Sequence, residues 1–145
     1  MASIDYAGIR TLIVDALRLE IPGVYVEEET YPAFAPELSP WVGVFLERRD
    51  APAELQVMAA GSVLRMELRA RILVLAYHLG GMLDASRVRD DILGQVETAV
   101  LKHKTLFGGS HLVRVEGGDF VSAQAETGFW AVADTTIVGI VTATV

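Results

Sequence analysis

Three histidines, His78, His103 and His111, are the side chains best suited by type to hold a metal or move a proton. They fall on a strand end, a helix and a loop. No HxxxH or HxH spacing links them and no carboxylate stands at ligand spacing beside them, so the ligand set of a zinc site does not form along the chain. Nucleophilic chemistry has as little to build on. There is no cysteine, and Gly109-Ser110-His111 falls far short of the GxSxG elbow that exposes a serine on a strand-to-helix turn. The glycine pairs at 80–81, 108–109 and 117–118 lack the spacing and the lysine of a phosphate loop and read as turns. Catalytic, cofactor-binding and metal residues are therefore all expected to be none. No cofactor is expected, and the chain does not read as an enzyme.

Two charged clusters remain. Glu27-Glu28-Glu29 could be an acid pair or a cation site. Successive strand residues point to opposite faces, so only Glu27 and Glu29 are expected to act together. The preferred reading is a solvated acidic sheet edge that discourages wrong strand pairing. The second cluster, Arg65, Glu67, Arg69 and Arg71, could hold an anion, but a charge match across strands or subunits is more economical.

The elements that would position these residues follow from periodicity. Ser3 or Asp5 can cap a helix over about 4–20, with Ile9, Leu12, Ile13, Ala16 and Leu17 on one stripe, stopped by Pro22-Gly23. Val24–Glu29 reads as a strand. Residues 30–40 hold three of the five prolines and display Tyr31, Phe34 and Leu38. This segment is either a stiff presenting arm or a loop whose side chains fold back onto the domain. Trp41–Arg49 reads as a strand, and 50–63 as a connection long enough to be functional.

The clearest strand is Leu64–Tyr77. One face carries Leu64, Met66, Leu68, Ala70, Ile72, Val74 and Ala76. The other carries the four charged residues and then Leu73, Leu75 and Tyr77. At about 3.3 Å per residue it reaches roughly 45 Å, so it is expected to project beyond the core in a long hairpin with 41–49. Its charged half should face solvent or a charged partner, and its apolar half should be covered on both sides.

A second helix, about 84–105, is capped by Asp84 or Ser86. It carries Val88, Ile92, Val96, Ala99, Val100 and His103 on one stripe, with Arg87, Arg89, Asp90, Glu97 and Lys102 outward. Leu112–Glu116 and Phe120–Glu126 read as short strands joined at Gly117-Gly118-Asp119, a tight-turn signal. Phe129–Val145 reads as a last strand, bulged near Asp134 or Gly139. The predicted class is α+β, one domain over 1–145. It is a mixed, mainly antiparallel sheet with a long hairpin at about 41–77, packed against two helices.

Apolar residues make up 52% of the 145. A chain of this size buries only about two-thirds of its surface, so an apolar surplus is expected outside, where it marks an interface. A net charge of −7 argues against gripping nucleic acid or an anionic membrane surface. The start, MASIDYAGIR, has no basic n-region followed by an apolar run, so no secretory signal is expected. The apolar Phe129–Val145 carries Asp134 and is shorter than a membrane helix, so no membrane partner is expected.

The stretches IRTLIVDALRLEIPGVYV, RMELRARILVLAYHL and DASRVRDDILGQVETAVL, in that order, resemble the tail terminator proteins of long-tailed bacteriophages, also called tail completion or head–tail joining proteins. So does the closing GDFVSAQAETGFWAVADTTIVGIVTATV, with its short strand, glutamate, aromatic pair and β-branched terminal strand. The resemblance implies a structural virion protein, a homo-oligomer expected to be a hexameric ring, located at the head-proximal end of the tail and assembled in the host cytoplasm. It would cap the tail tube protein, end tube polymerisation and meet a neck or connector protein. DNA would pass through its channel without specific binding. Under this reading Tyr31, Phe34, Leu38, Trp41, Arg65, Glu67, Arg69 and Arg71 are candidates for subunit or tube contacts, and Glu27, Glu29, Asp50 and Glu54 for the lumen or rim. The alternatives are another tube, neck or connector subunit, or a small oligomeric α+β enzyme or ligand-binding protein with a site between subunits.

Overall fold

The computed structural model describes residues 3–51, 63–103 and 113–144. Helices α1 (Tyr6–Glu20) and α2 (Met82–Lys102) pack on a sheet of six strands: β1 (Tyr25–Glu28), β2 (Trp41–Asp50), β3 (Val63–His78), β4 (Val113–Gly117), β5 (Phe120–Ala125) and β6 (Gly128–Thr144). The path through the sheet is β1-β2-β3-β6-β4, and β5 also lies against β6. β1 is parallel to β2 and every other pairing is antiparallel. The class is the expected α+β, with the hairpin β2–β3 and two helices. The connection at 50–63 lies mostly outside the described residues. No helix among the described residues is long and apolar enough to cross a membrane.

The alternation in β3 becomes the two faces of the sheet. Met66, Leu68, Ala70, Ile72 and Val74 are buried on one face, with Val42 and Val44 of β2 and Ala133, Ile137 and Val141 of β6. Ile9, Ile13, Val14 and Leu17 of α1, and Ile92, Leu93, Val96, Ala99 and Val100 of α2, close over them as a single core. Leu64, counted on that face, is 38% exposed. β3 does not extend as a bare two-stranded arm: its full length runs beside β6, from Val63↔Thr144 to His78↔Phe129.

Both helices depart from the sequence expectation at the margins of their stripes. In α1, Asp5 caps the helix by accepting from the Gly8 N–H at 2.9 Å. Leu12 is exposed while Val14 is buried, so the contact stripe is turned toward Val14. α2 begins two residues before Asp84, with Gly81 as its N-cap. Arg89, expected outward, is 7% exposed: its guanidinium sits 4.7 Å from the Phe120 ring centroid and its Nε donates to Asp90. A strand from another part of the chain supplies the cover that a helical stripe alone does not reveal.

The expected turn at Gly117-Gly118-Asp119 is not a hairpin. β4 and β5 run in the same direction along β6, opposite Gly139–Thr136 and Ala133–Gly128. The glycines carry the backbone over Asp134. The Asp119 N–H donates to Asp134 Oδ1 at 2.7 Å and the Asp134 N–H donates to the Asp119 carbonyl at 3.1 Å. A Cβ on Gly118 would lie 2.2 Å from the Asp134 carbonyl oxygen, so only glycine passes here. The irregularity foreseen in β6 near Asp134 thus sits in its neighbour, where register shifts between Val115 and Gly117. β6 itself is continuous, and the two-residue turn Glu126-Thr127 makes the real hairpin, β5–β6.

Candidate functional site

The face of the sheet away from the helices holds most of the residues singled out by sequence, and it divides in two. At one end Trp41, Leu75 and Trp130 are buried together, with Phe45, Leu73, Tyr77, Ala125 and Val132 packed around them. Trp41 is 4% exposed, so it lies inside the protein and not on a contact surface. Gly43 makes room for it: a Cβ there would stand 2.3 Å from the Trp41 ring.

The 30–40 segment covers this end. Phe34 meets the Trp130 ring edge-on at 5.3 Å, and Tyr31 stands 6.3 Å from Phe45. The Ser39 hydroxyl oxygen accepts from the Tyr77 N–H at 2.7 Å, and Leu38 is half-buried in a 3-10 turn at Pro36–Leu38. Of the two readings of this loop, folding back describes the ring contacts. Yet Tyr31 remains 89% and Phe34 50% exposed, so each also offers apolar surface outward.

At the other end the face is ionic. Arg71 Nε donates to Asp134 at 2.8 Å. Arg69 bonds Glu116, with Glu67 at 3.4 Å, and Arg114 reaches Glu116 at 3.1 Å and Glu67 at 3.5 Å. Arg48 pairs with Asp50 at 3.0 Å. The hydrogen bond from Arg69, then that from Arg114, hold the Glu116 carboxyl below the usual carboxylate range, and Glu116 in turn raises Arg69. Arg65 is half-buried and has interactions of its own. Glu67, Arg69 and Arg71 therefore join a cross-strand lattice with β4 and β6. Its partners Asp134, Arg114 and Glu116 were not anticipated; only register could have supplied them. Beneath the lattice Val138, beside Arg69 and Arg114, is fully buried although it faces away from the helices.

The acidic run behaves differently from expectation. Glu27 faces the same side as Gly43. Glu29 leaves the strand with φ +49 and turns its carboxylate toward α1, accepting from the Leu46 N–H at 2.9 Å and pairing with Arg10 at 3.3 Å. Glu28 is 3.7 Å from the same Arg10. The pair that converges is Glu28 and Glu29, because a positive φ breaks the strand alternation. Glu54 and His111 lie outside the described residues. His78 accepts from the Gly80 N–H, and His103 meets Glu20 at 2.9 Å. Among the described residues no cluster of three or more His, Asp or Glu could hold a metal. A groove of about 480 Å³ along α2 is lined by Glu20, Asp90, Asp91 and Lys102, and there Glu20 is already engaged by Lys102 and His103.

No protein-family model matches the chain, and no curated protein matches it. Among solved structures, the sheath/tube terminator of an extracellular contractile injection system, PVC, in its extended state, aligns over 94% of this chain with 11% identity and a TM-score of 0.47. This chain spans 56% of that protein's length. A second solved structure aligns over 92% of this chain and 91% of its own, with 13% identity and a TM-score of 0.46. At scores this low neither structure decides between functions.

Proposed function

We propose that this chain is a structural subunit that forms a ring at the end of a phage-type tail tube, stops tube polymerisation and joins the tube to a neck or connector, leaving a channel for DNA. Its place is the head-proximal end of the tail, its neighbours are copies of itself, the tube protein and a neck protein, and its work is contact rather than catalysis. The sequence resemblance supplies the identity. The observation that carries it is apolar exposure on two separate surfaces. Tyr31, Phe34, Leu79 and Leu83 are 50–89% exposed on segments 30–40 and 78–83, which flank the aromatic end of the sheet. Leu19 and Leu101 are 72% and 56% exposed at the C-terminal turns of the two helices, which Glu20, Lys102 and His103 tie together. A head-to-tail ring needs two different patches on each subunit, whereas a two-fold dimer needs one. The ionic half of the open face, polar and already matched in charge, suits a surface set against another ordered subunit.

The test is polymerisation of a phage-type tail-tube protein from the same source, with and without this chain, viewed by electron microscopy. The expected result is tubes that stop growing, each with a ring of density at one end. Tubes of unchanged length with bare ends contradict the proposal, whatever the protein's oligomeric state when free.

A further inference from the structure

Among the described residues the sheet has three strands paired on one side alone, and they are not protected alike. β1 carries Glu27 and Glu28, and Arg18 donates from Nε and a terminal nitrogen to the Val26 carbonyl at 3.2 and 2.8 Å. β4 carries Arg114 and Glu116. Charges and occupied carbonyls are the usual guards of an edge. β5, Phe120-Val121-Ser122-Ala123-Gln124-Ala125, has no charge and no proline, its first five residues are exposed, and among the described residues it pairs with β6 alone. Phe120 and Val121 are 61% and 56% exposed.

The hydrogen-bond phase of this edge is fixed. Asp134 donates to the Asp119 carbonyl, and Ala125 stands opposite Gly128 across a two-residue turn. Antiparallel ladders alternate, so 121, 123 and 125 bond inward to β6. Phe120, Ser122 and Gln124 therefore point their N–H and C=O groups outward, in the spacing that an added strand uses. The Arg89 guanidinium against Phe120 holds the first of these in place.

We infer that β5 is a docking edge for an extended segment of another protein, one with an uncharged, alternating centre and basic residues at its ends. The ends of the strip choose the occupant. Exposed Asp119 and Glu126 bracket it. A second copy of β5, added antiparallel about a two-fold axis through Ser122, would set Asp119 of one copy opposite Ala125 of the other, one position from its Glu126, at both ends. Acidic groups gathered at both ends oppose pairing. Lysine or arginine at the same points would favour it. This inference stands apart from the ring, since it uses neither patch assigned to ring contacts.

The test uses the full chain, labelled for amide exchange, with two probe peptides, Lys-Thr-Val-Thr-Val-Thr-Lys and the same sequence ended by Glu. The Lys-ended peptide should slow exchange at the Phe120, Ser122 and Gln124 amides at least tenfold, and the Glu-ended peptide should bind at least tenfold more weakly. Ser122→Pro removes an outward N–H and leaves the β6 ladder intact, so it should abolish the effect; Gln124→Pro serves if that variant folds poorly. The double variant D119K/E126K should reverse the preference. No slowing with either peptide, equal response to both, or slowing that survives both proline variants overturns the inference. So does slowing in concentrated protein alone, which would identify self-pairing.

Discussion

On the helix-covered face of the sheet, Ile72, Val74 and Ile137 are fully buried in an apolar core, and the buried Thr135, opposite Ile72, is satisfied by donating its hydroxyl to Glu97 at 3.0 Å. On the opposite face the same three central strands carry tryptophans at one end and arginine–carboxylate pairs at the other. The first face is satisfied within the chain. The second is a core for half its length and a solvated lattice for the rest, covered by one irregular loop in place of a helix. Burial on the first face fixes the fold; exposure on the second leaves surface whose charges are matched but whose area is not enclosed. That division suits the proposed role in assembly, because it separates residues that hold the shape from residues that can meet a neighbour.

Substitution should separate these regions in a graded way. Trp41→Ala should destabilise most, by about 3–5 kcal/mol, because it empties the aromatic end. A loss below about 1 kcal/mol in a denaturant titration would show that this end is not a core. Ile72→Ala should cost about 2–5 kcal/mol on the helix-covered face by the same measure. Arg71→Ala, in the ionic half, should shift stability by less than about 1 kcal/mol, since a half-exposed ion pair is strongly screened. A larger loss would make the lattice a structural element and erase the contrast.

The smallest effect is a pH slope outside both regions. Hydrogen bonds from His103 first and then Lys102 hold the Glu20 carboxyl below its ordinary value of 4.5. A depressed carboxylate stabilises the fold above its ordinary value, and that stabilisation is lost as pH falls through the folded value. Thermal midpoints of Glu20→Gln should therefore fall less steeply than those of the parent on acidification below about pH 5. Parallel slopes would remove Glu20 from the account.

Local pattern made much of this readable. The period of two in β3 is long enough to fix both faces, and the change from Arg71 to Leu73 on the second marks where its ionic half gives way to its apolar half. Asp5 as cap and Pro22-Gly23 as stop for α1 are local signals too. What the sequence hid depends on distant partners. Gly117-Gly118-Asp119 has the composition of a turn, but close passage over Asp134 requires the same residues. Arg89 looks solvated on a helical wheel until Phe120 arrives beside it. Glu29 breaks the strand alternation through its positive φ, and the parallel pairing of β1 with β2 has no local signature. For the candidate site, the β3 arginines were visible in sequence, whereas their partners on β4 and β6 needed the register. A tryptophan at a strand start is equally at home inside or outside, and only the packing of Leu75 and Trp130 around Trp41 buries it.

The most direct measurement concerns the ionic half of the open face. Tube lengths should be compared for tube protein polymerised with the parent chain and with the double variant R69Q/R71Q, at matched thermal stability. The parent should stop tube growth and end each tube with a ring, while the variant, still folded, should leave tubes long and uncapped. A folded variant that caps tubes as well as the parent would contradict the assignment of this face to assembly.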